Sequence, residues 1–214
     1  MRPRLTLATA NAAKARELRA LLAGTGYELR TLGDHPGLAL PPEGETSYAE
    51  NARRKAEAVA AAVGTIALAD DSGLEVDALG GRPGPASARY GGPGLDDAAR
   101  AARLLAEVGA EMGAEVGAER SCVARFRCVV ALAAPWGEVV TVEGVLEGEL
   151  VRAPRGVGGF GYDPIFLVPA LGRTLAELPP DEKHRVSHRG RAVALARPTL
   201  ERWACRAAPA LGDP

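Results

Sequence analysis

The 214-residue chain is predicted to be an α/β protein built on a mixed sheet, on three observations. A strand, a turn and a helix follow one another at the N-terminus, a short buried strand runs into Asp70-Asp71, and two long β-prone runs form a hairpin in the second half. That order of elements predicts one domain over residues 1–208, in two lobes, with flanking helices and a tail at 209–214.

Each element has its own signal. Residues 4 to 8 alternate, and the segment opened by Thr9-Ala10-Asn11 carries Leu18, Leu21 and Leu22 as a helical stripe ending near Gly24. Ser47 and Glu50 make a capping box before an alanine-rich helix to Val63, which places Asn51 and Lys55 on one face. Thr65 to Ala69 reads as a strand that ends at the acidic pair. Gly80 to Gly94 reads as loop, and Asp96 and Asp97 precede an amphipathic helix to about Val108. The Gly-Ala-Glu repeat of residues 109–119 is low in complexity, a helix extension or linker with no chemistry. Cys122 to Ala133 and Glu138 to Leu150 form the antiparallel hairpin. A glycine-rich loop spans Gly156 to Asp163, and Ser187 opens a last helix with Val193, Leu195 and Leu200 on its apolar side.

Composition narrows the function. Hydrophobic residues make up 47%, ample for a core, and 26 basic against 27 acidic residues leave a net charge of -1. No electrostatic feature favours nucleic acid or an anionic membrane, so a small ligand is the expected partner. Cys122, Cys128 and Cys205 lack metal-ligand spacing and are expected to be reduced core filler in a cytoplasmic protein. The N-terminus has too short an apolar run for a signal peptide, and no segment approaches a membrane span. Only Lys14, Lys55 and Lys183 are lysines, and only Asn11 and Asn51 are asparagines, in a chain that otherwise uses arginine and alanine. A point charge where a planar fork is the habit marks a specific demand.

Four constellations could carry chemistry. Thr9-Ala10-Asn11-Ala12-Ala13-Lys14 stands where a strand enters a helix, a favourable place for phosphate; Thr9 or Asn11 could equally be a plain cap. Asp70-Asp71, with Glu43 from another segment, would suit a Mg²⁺ ion held through few protein oxygens, one acid orienting the attacking water; either could instead cap a turn into Gly73. Gly156 to Pro164 satisfies G-x-G-x-x-G but opens no helix, which excludes a dinucleotide fingerprint and leaves a loop with an exposed Phe160 to stack on a base and Asp163 to accept from it. Lys183, His188 and Arg189 are donors suited to the keto edge of a purine, while Ser187 could be only a helix cap.

In order along the chain stand Thr9 to Lys14, Glu50-Asn51-Ala52 with Lys55, Asp70 to Leu74, Pro83-Gly84 with Ser87-Ala88-Arg89-Tyr90, Gly158 to Pro164, and Ser187 to Gly190. Together these closely resemble the inosine triphosphate pyrophosphatase family over nearly the whole chain. The resemblance implies an elongated α/β fold with a central nucleotide-binding cleft, a homodimer, and Mg²⁺-dependent hydrolysis of ITP, dITP and XTP to the monophosphate and pyrophosphate. It implies Asp71 as catalytic base and metal ligand, and Glu43 as a second metal contact. Thr9 to Lys14, Lys55 and Ser72 would hold phosphates, and Phe160, Gly161, Tyr162, Asp163, Lys183, His188 and Arg189 the base. Ala10 replaces a glycine often found there, so this turn needs no positive φ. Glu43 is preferred over Glu45 by its distance from Asn51. A pyrimidine or modified-nucleotide pyrophosphatase and a non-hydrolysing nucleotide sensor remain as rivals.

Overall fold

The computed structural model describes residues 2–112 and 122–207. The remainder of the 109–119 repeat and the tail at 209–214 lie outside the described residues. Seven strands form one mixed sheet: β1 (Arg4–Leu7), β2 (Glu28–Thr31), β3 (Ile66–Val76), β4 (Cys122–Ala133), β5 (Val139–Leu150), β6 (Phe166–Val168) and β7 (Arg173–Thr174), in the order β2-β1-β3-β4-β5-β6-β7. β1 pairs in parallel with β2 and β3, whereas β5 with β6 and β6 with β7 are antiparallel. β4 and β5 are sheet neighbours joined by a tight turn in which Ala134 N donates to Glu138 O at 2.9 Å, the expected hairpin.

Five α-helices accompany the sheet: α1 (Ala12–Leu21), α2 (Tyr48–Val63), α3 (Asp97–Met112), α4 (Pro180–Val186) and α5 (His188–Ala207). The Asn11 side chain caps α1 by accepting from Ala13 N and Lys14 N. Ser47 caps α2 by accepting from Glu50 N, and Gly64 closes it in the left-handed conformation. α3 runs past Val108 to Met112, so the start of the repeat is a helix extension. α4 was not foreseen; its proline-rich entry fits the first turn of a helix, where a missing N–H costs nothing. No helix among the described residues is long and apolar enough to cross a membrane.

The chain divides into two compact units. The first comprises residues up to Asp71, Cys128–Gly144 and the chain from Arg189 onward; the second comprises Ser72–Arg127 and Val145–His188. In the first unit the sheet is covered on both faces, and β3 shows why. Ile66 and Leu68 pack with Leu18 and Leu22 of α1 and with Val193, Leu200 and Trp203 of α5, while Ala67 and Ala69 pack with Ala52, Ala56 and Val59 of α2. Side chains of a strand alternate between faces, so a run buried on both sides reads as continuously apolar. The second unit has its own core of Leu74, Leu104, Phe126, Ile165 and Phe166.

Three expectations are corrected. Leu195 is 57% exposed, because the buried positions of α5 follow the spacing Ala192, Val193, Ala196, Leu200, Trp203 and leave Leu195 on the opposite side. Cys122 and Cys128 are buried, but Cys205 is exposed and fills no core. β3 does not end at the acidic pair but continues to Val76; its neighbour β1 ends instead, paired last at Leu7 with Leu68. Replacing Leu68, fully buried, with alanine is expected to cost about 2–5 kcal/mol in denaturant-unfolding stability.

Candidate active site

The alternation of β3 carries past Ala69 into its charged residues. Asp70 continues the face of Ile66 and Leu68, and Asp71 continues the face of Ala67 and Ala69. The two acids therefore meet different helices rather than converging as a pair, which corrects their joint reading.

On the α2 face, Asn51 Nδ2 donates to Asp71 Oδ2 at 2.8 Å. The same amide donates to Gly44 O at 2.9 Å and accepts from Gly44 N at 2.8 Å, fastening the loop that carries Glu43. A buried asparagine uses donor and acceptor together here, which neither alanine nor arginine can do. Lys55, one turn later and also buried, sets its ammonium 2.5 Å from Glu43 Oε1 and 3.9 Å from Asp71 Oδ1. It donates as well to the Asp70 carbonyl at 2.7 Å. Burial pushes the Asp71 carboxyl above its ordinary value, opposed by the Lys55 ammonium and the Asn51 hydrogen bond. Glu45 is exposed, and the contact to Lys55 is made by Glu43.

On the other face, Asp70 is fully buried and Lys14 Nζ lies 3.1 Å from its Oδ2. Arg189 approaches the same oxygen through Nη2 at 3.0 Å and Nε at 3.2 Å. Burial alone would raise the Asp70 carboxyl, but Lys14, Arg189 and Lys55 outweigh it and hold it below its ordinary value. Lys14 thus meets the carboxylate of Asp70 and Lys55 its carbonyl, so the two scarce lysines and Asp71 are gathered around one short stretch of backbone. Thr9 is buried and accepts from Asn11 N at 3.2 Å. Ala10 is exposed and does not have a positive φ, as its side chain requires. The first amides of α1 are met by Asn11, the cap reading of that residue.

The second unit holds the expected base-recognising residues. Lys183 Nζ lies 2.6 Å from Asp163 Oδ2, which also accepts from Phe160 N at 2.8 Å. The same ammonium stands 5.0 Å from the centroid of the Phe160 ring, which is half-buried rather than exposed. Gly159 makes this possible: its φ is +73°, and a Cβ there would fall 2.1 Å from Asp163 Oδ2. Gly161 N donates to Asp97 Oδ2 at 2.7 Å, from the head of α3. His188 stacks on Phe126 with centroids 4.6 Å apart and planes at 10°. The Tyr162 ring is core and its hydroxyl donates to Ser87 O at 2.9 Å, which leaves its backbone for a ligand. Arg189 lies in the first unit, where its guanidinium donates to Asp70 and Glu17. Ser72 is half-buried in β3 at the start of the second unit.

Glu43 and Asp71 already face one cation, and their hard oxygens are the donor type that magnesium takes. A dication near Asp71 would also relieve the penalty that burial imposes on its charge. The two carboxylates fit such an ion in donor type. Asn51 and Glu17 went unrecognised as site residues. The scarcity of asparagine could have flagged the first, and the position of Glu17 one turn after Lys14 the second.

The Ham1 family profile matches residues 5–199. The dITP/XTP pyrophosphatase of Desulforamulus reducens is 46% identical over 199 residues, covering 93% of this chain and 96% of its own. That of Bacillus subtilis is 44% identical over 195 residues, covering 91% and 96%. Among solved structures, a HAM1 protein from Coxiella burnetii matches with a TM-score of 0.79 and 38% identity, over 94% of this chain and 99% of its own.

The low folded-state value of Asp70 means that its ion pairs stabilise the protein above the usual carboxylate range and lose that effect as pH falls below about 4. Asp70→Asn is accordingly expected to lower unfolding stability at pH 7 by about 3–5 kcal/mol, because Arg189 stays buried with its partner's charge gone. In urea titrations the difference from the parent should narrow as the pH is taken below that range.

Proposed function

The chain belongs to the Ham1 family, and from that membership we infer that it hydrolyses non-standard purine nucleoside triphosphates (ITP, dITP, XTP) to the monophosphate and pyrophosphate. The observation that carries the assignment of roles is the buried Asp71 carboxylate, held by Asn51 and accompanied by Lys55 and Glu43.

In this reading Asp71 is the base. Asn51 fixes one carboxylate oxygen, and the other receives a proton from a water as that water's oxygen attacks the α-phosphorus. The bond from that phosphorus to the bridging oxygen breaks, and pyrophosphate leaves. Lys14 and Lys55 neutralise the phosphates as negative charge shifts to the leaving group, with the backbone of Thr9 to Ala13 and the Ser72 hydroxyl assisting. Mg²⁺ would be held by Glu43 and Asp71 and would supply charge neutralisation at the phosphoryl oxygens.

The base is assigned to Phe160 for stacking, to Gly161 and Tyr162 through their backbones, and to Asp163, Lys183 and His188 for hydrogen bonding. Lys183 has no acceptor to offer, so a purine with a 6-keto oxygen suits it and a 6-amino group does not. The working form is taken to be a cytoplasmic homodimer, as in the family that the motifs resemble, and sedimentation measurements would give its mass directly.

A panel of dITP, XTP, GTP and ATP, assayed by pyrophosphate release with Mg²⁺ and with chelator, tests the substrate class. Expected are Mg²⁺-dependent turnover of dITP and XTP and a kcat/KM for ATP lower by at least about a hundredfold; comparable use of ATP would sink the assignment. Asp71→Asn should abolish turnover without loss of fold. Because burial raises the folded-state value of Asp71, its ionised form weakens the protein at neutral pH, so the asparagine variant should be at least as stable as the parent. Thermal unfolding and single-turnover assays read the two halves of that expectation.

A further inference from the structure

Four charged side chains on the α1 and α5 face of β3 are linked in a chain of ion pairs, Lys14–Asp70–Arg189–Glu17. Asp70 Oδ2 receives Lys14 at 3.1 Å and Arg189 at 3.0 and 3.2 Å. Arg189 turns its remaining terminal nitrogen, Nη1, to Glu17 Oε2 at 2.6 Å. Glu17 stands one turn after Lys14 on α1. Signs alternate along the chain of pairs and the formal charges sum to zero. Side-chain exposure rises from 0% at Asp70 and 2% at Arg189 to 12% at Glu17 and 15% at Lys14, so Lys14 is the member best placed to reach a ligand.

We propose that Glu17 is a positioning residue for Lys14: by holding Arg189 it keeps the Asp70 carboxylate available to the Lys14 ammonium, which is thereby set for the substrate's phosphates. The proposal rests on the phosphate role of Lys14 given above. Without the charge of Glu17, the two cations that meet at Asp70 have one carboxylate between them instead of two. The planar and more deeply buried Arg189 keeps its two-point grip on Asp70, whereas the flexible lysine, repelled by its neighbour, moves away. Glu17 itself touches neither water nor phosphate in this scheme. Its effect travels through Arg189 and Asp70 to one amine.

The test is a kinetic cycle on the full chain with dITP and Mg²⁺, using Glu17→Gln, Lys14→Ala and the double variant, each checked for folding by thermal unfolding. Glu17→Gln is expected to lower kcat by about tenfold to a hundredfold, as small misplacements of a catalytic group do, with KM changed by less than about twofold. Adding it to Lys14→Ala should cause no further loss, since the residue it positions is already gone. Glu17→Asp, which keeps the charge, should recover most of the rate; should Glu17→Gln fail to fold, the aspartate variant carries the same cycle with a smaller defect. Losses that multiply in the double variant, or a Glu17→Gln enzyme at parental rate beside an impaired Lys14→Ala, overturn the positioning role and leave the phosphate role of Lys14 standing. A Lys14→Ala enzyme with parental kinetics removes both.

Discussion

The alternation of side chains along β3 is the constraint on which the first unit depends. One strand, buried on both faces, delivers Asp70 to α1 and α5 and Asp71 to α2. Neither carboxylate could stay ionised in such a place unaided, and each finds cations and hydrogen bonds on its own side. The outcome differs between them. Lys14, Arg189 and Lys55 hold Asp70 below its ordinary value, whereas burial pushes Asp71 above its own.

The same logic of a buried acid with an amine recurs in the second unit with a different balance. Asp163 binds Lys183 and the Phe160 amide through one oxygen, so the loop, the ring and the ammonium are fixed together before any ligand arrives. Cysteine takes no part in either group. Burial pushes the Cys128 thiol up to about 12, which leaves it an apolar filler rather than a nucleophile.

Much of the fold was legible because local signals agreed with the global one. Asn11 and Ser47 cap the helices they were expected to begin, and the turn at Pro135-Trp136-Gly137 joins β4 to β5. The errors have physical origins. Aspartate is a poor strand former, so β3 was ended at Asp70; only tertiary partners from α1, α2 and α5 let it continue. Leu195 was counted by hydrophobicity instead of by helical phase. In the site, the lysines and the acids at or near segment ends were legible, whereas Asn51 and Glu17 were not, because their roles lie in holding other side chains. The position of Glu17 one turn after Lys14 is its one local mark. His188 and Arg189 are successive residues at the head of α5 and so diverge by about 100°, which takes one to Phe126 and the other to Asp70.

The double burial of β3 also limits how this segment can change in length. Between Ile66 and Asp71 a substitution alters one side of the sheet, but removal or insertion of a single residue would exchange the two sides for everything beyond it. Asp71 would then be delivered to the side of Lys14 and Arg189, and its neighbour to the side of Asn51. Chain length here is therefore as strict a requirement as residue identity, and natural indels should be confined to the connecting loops.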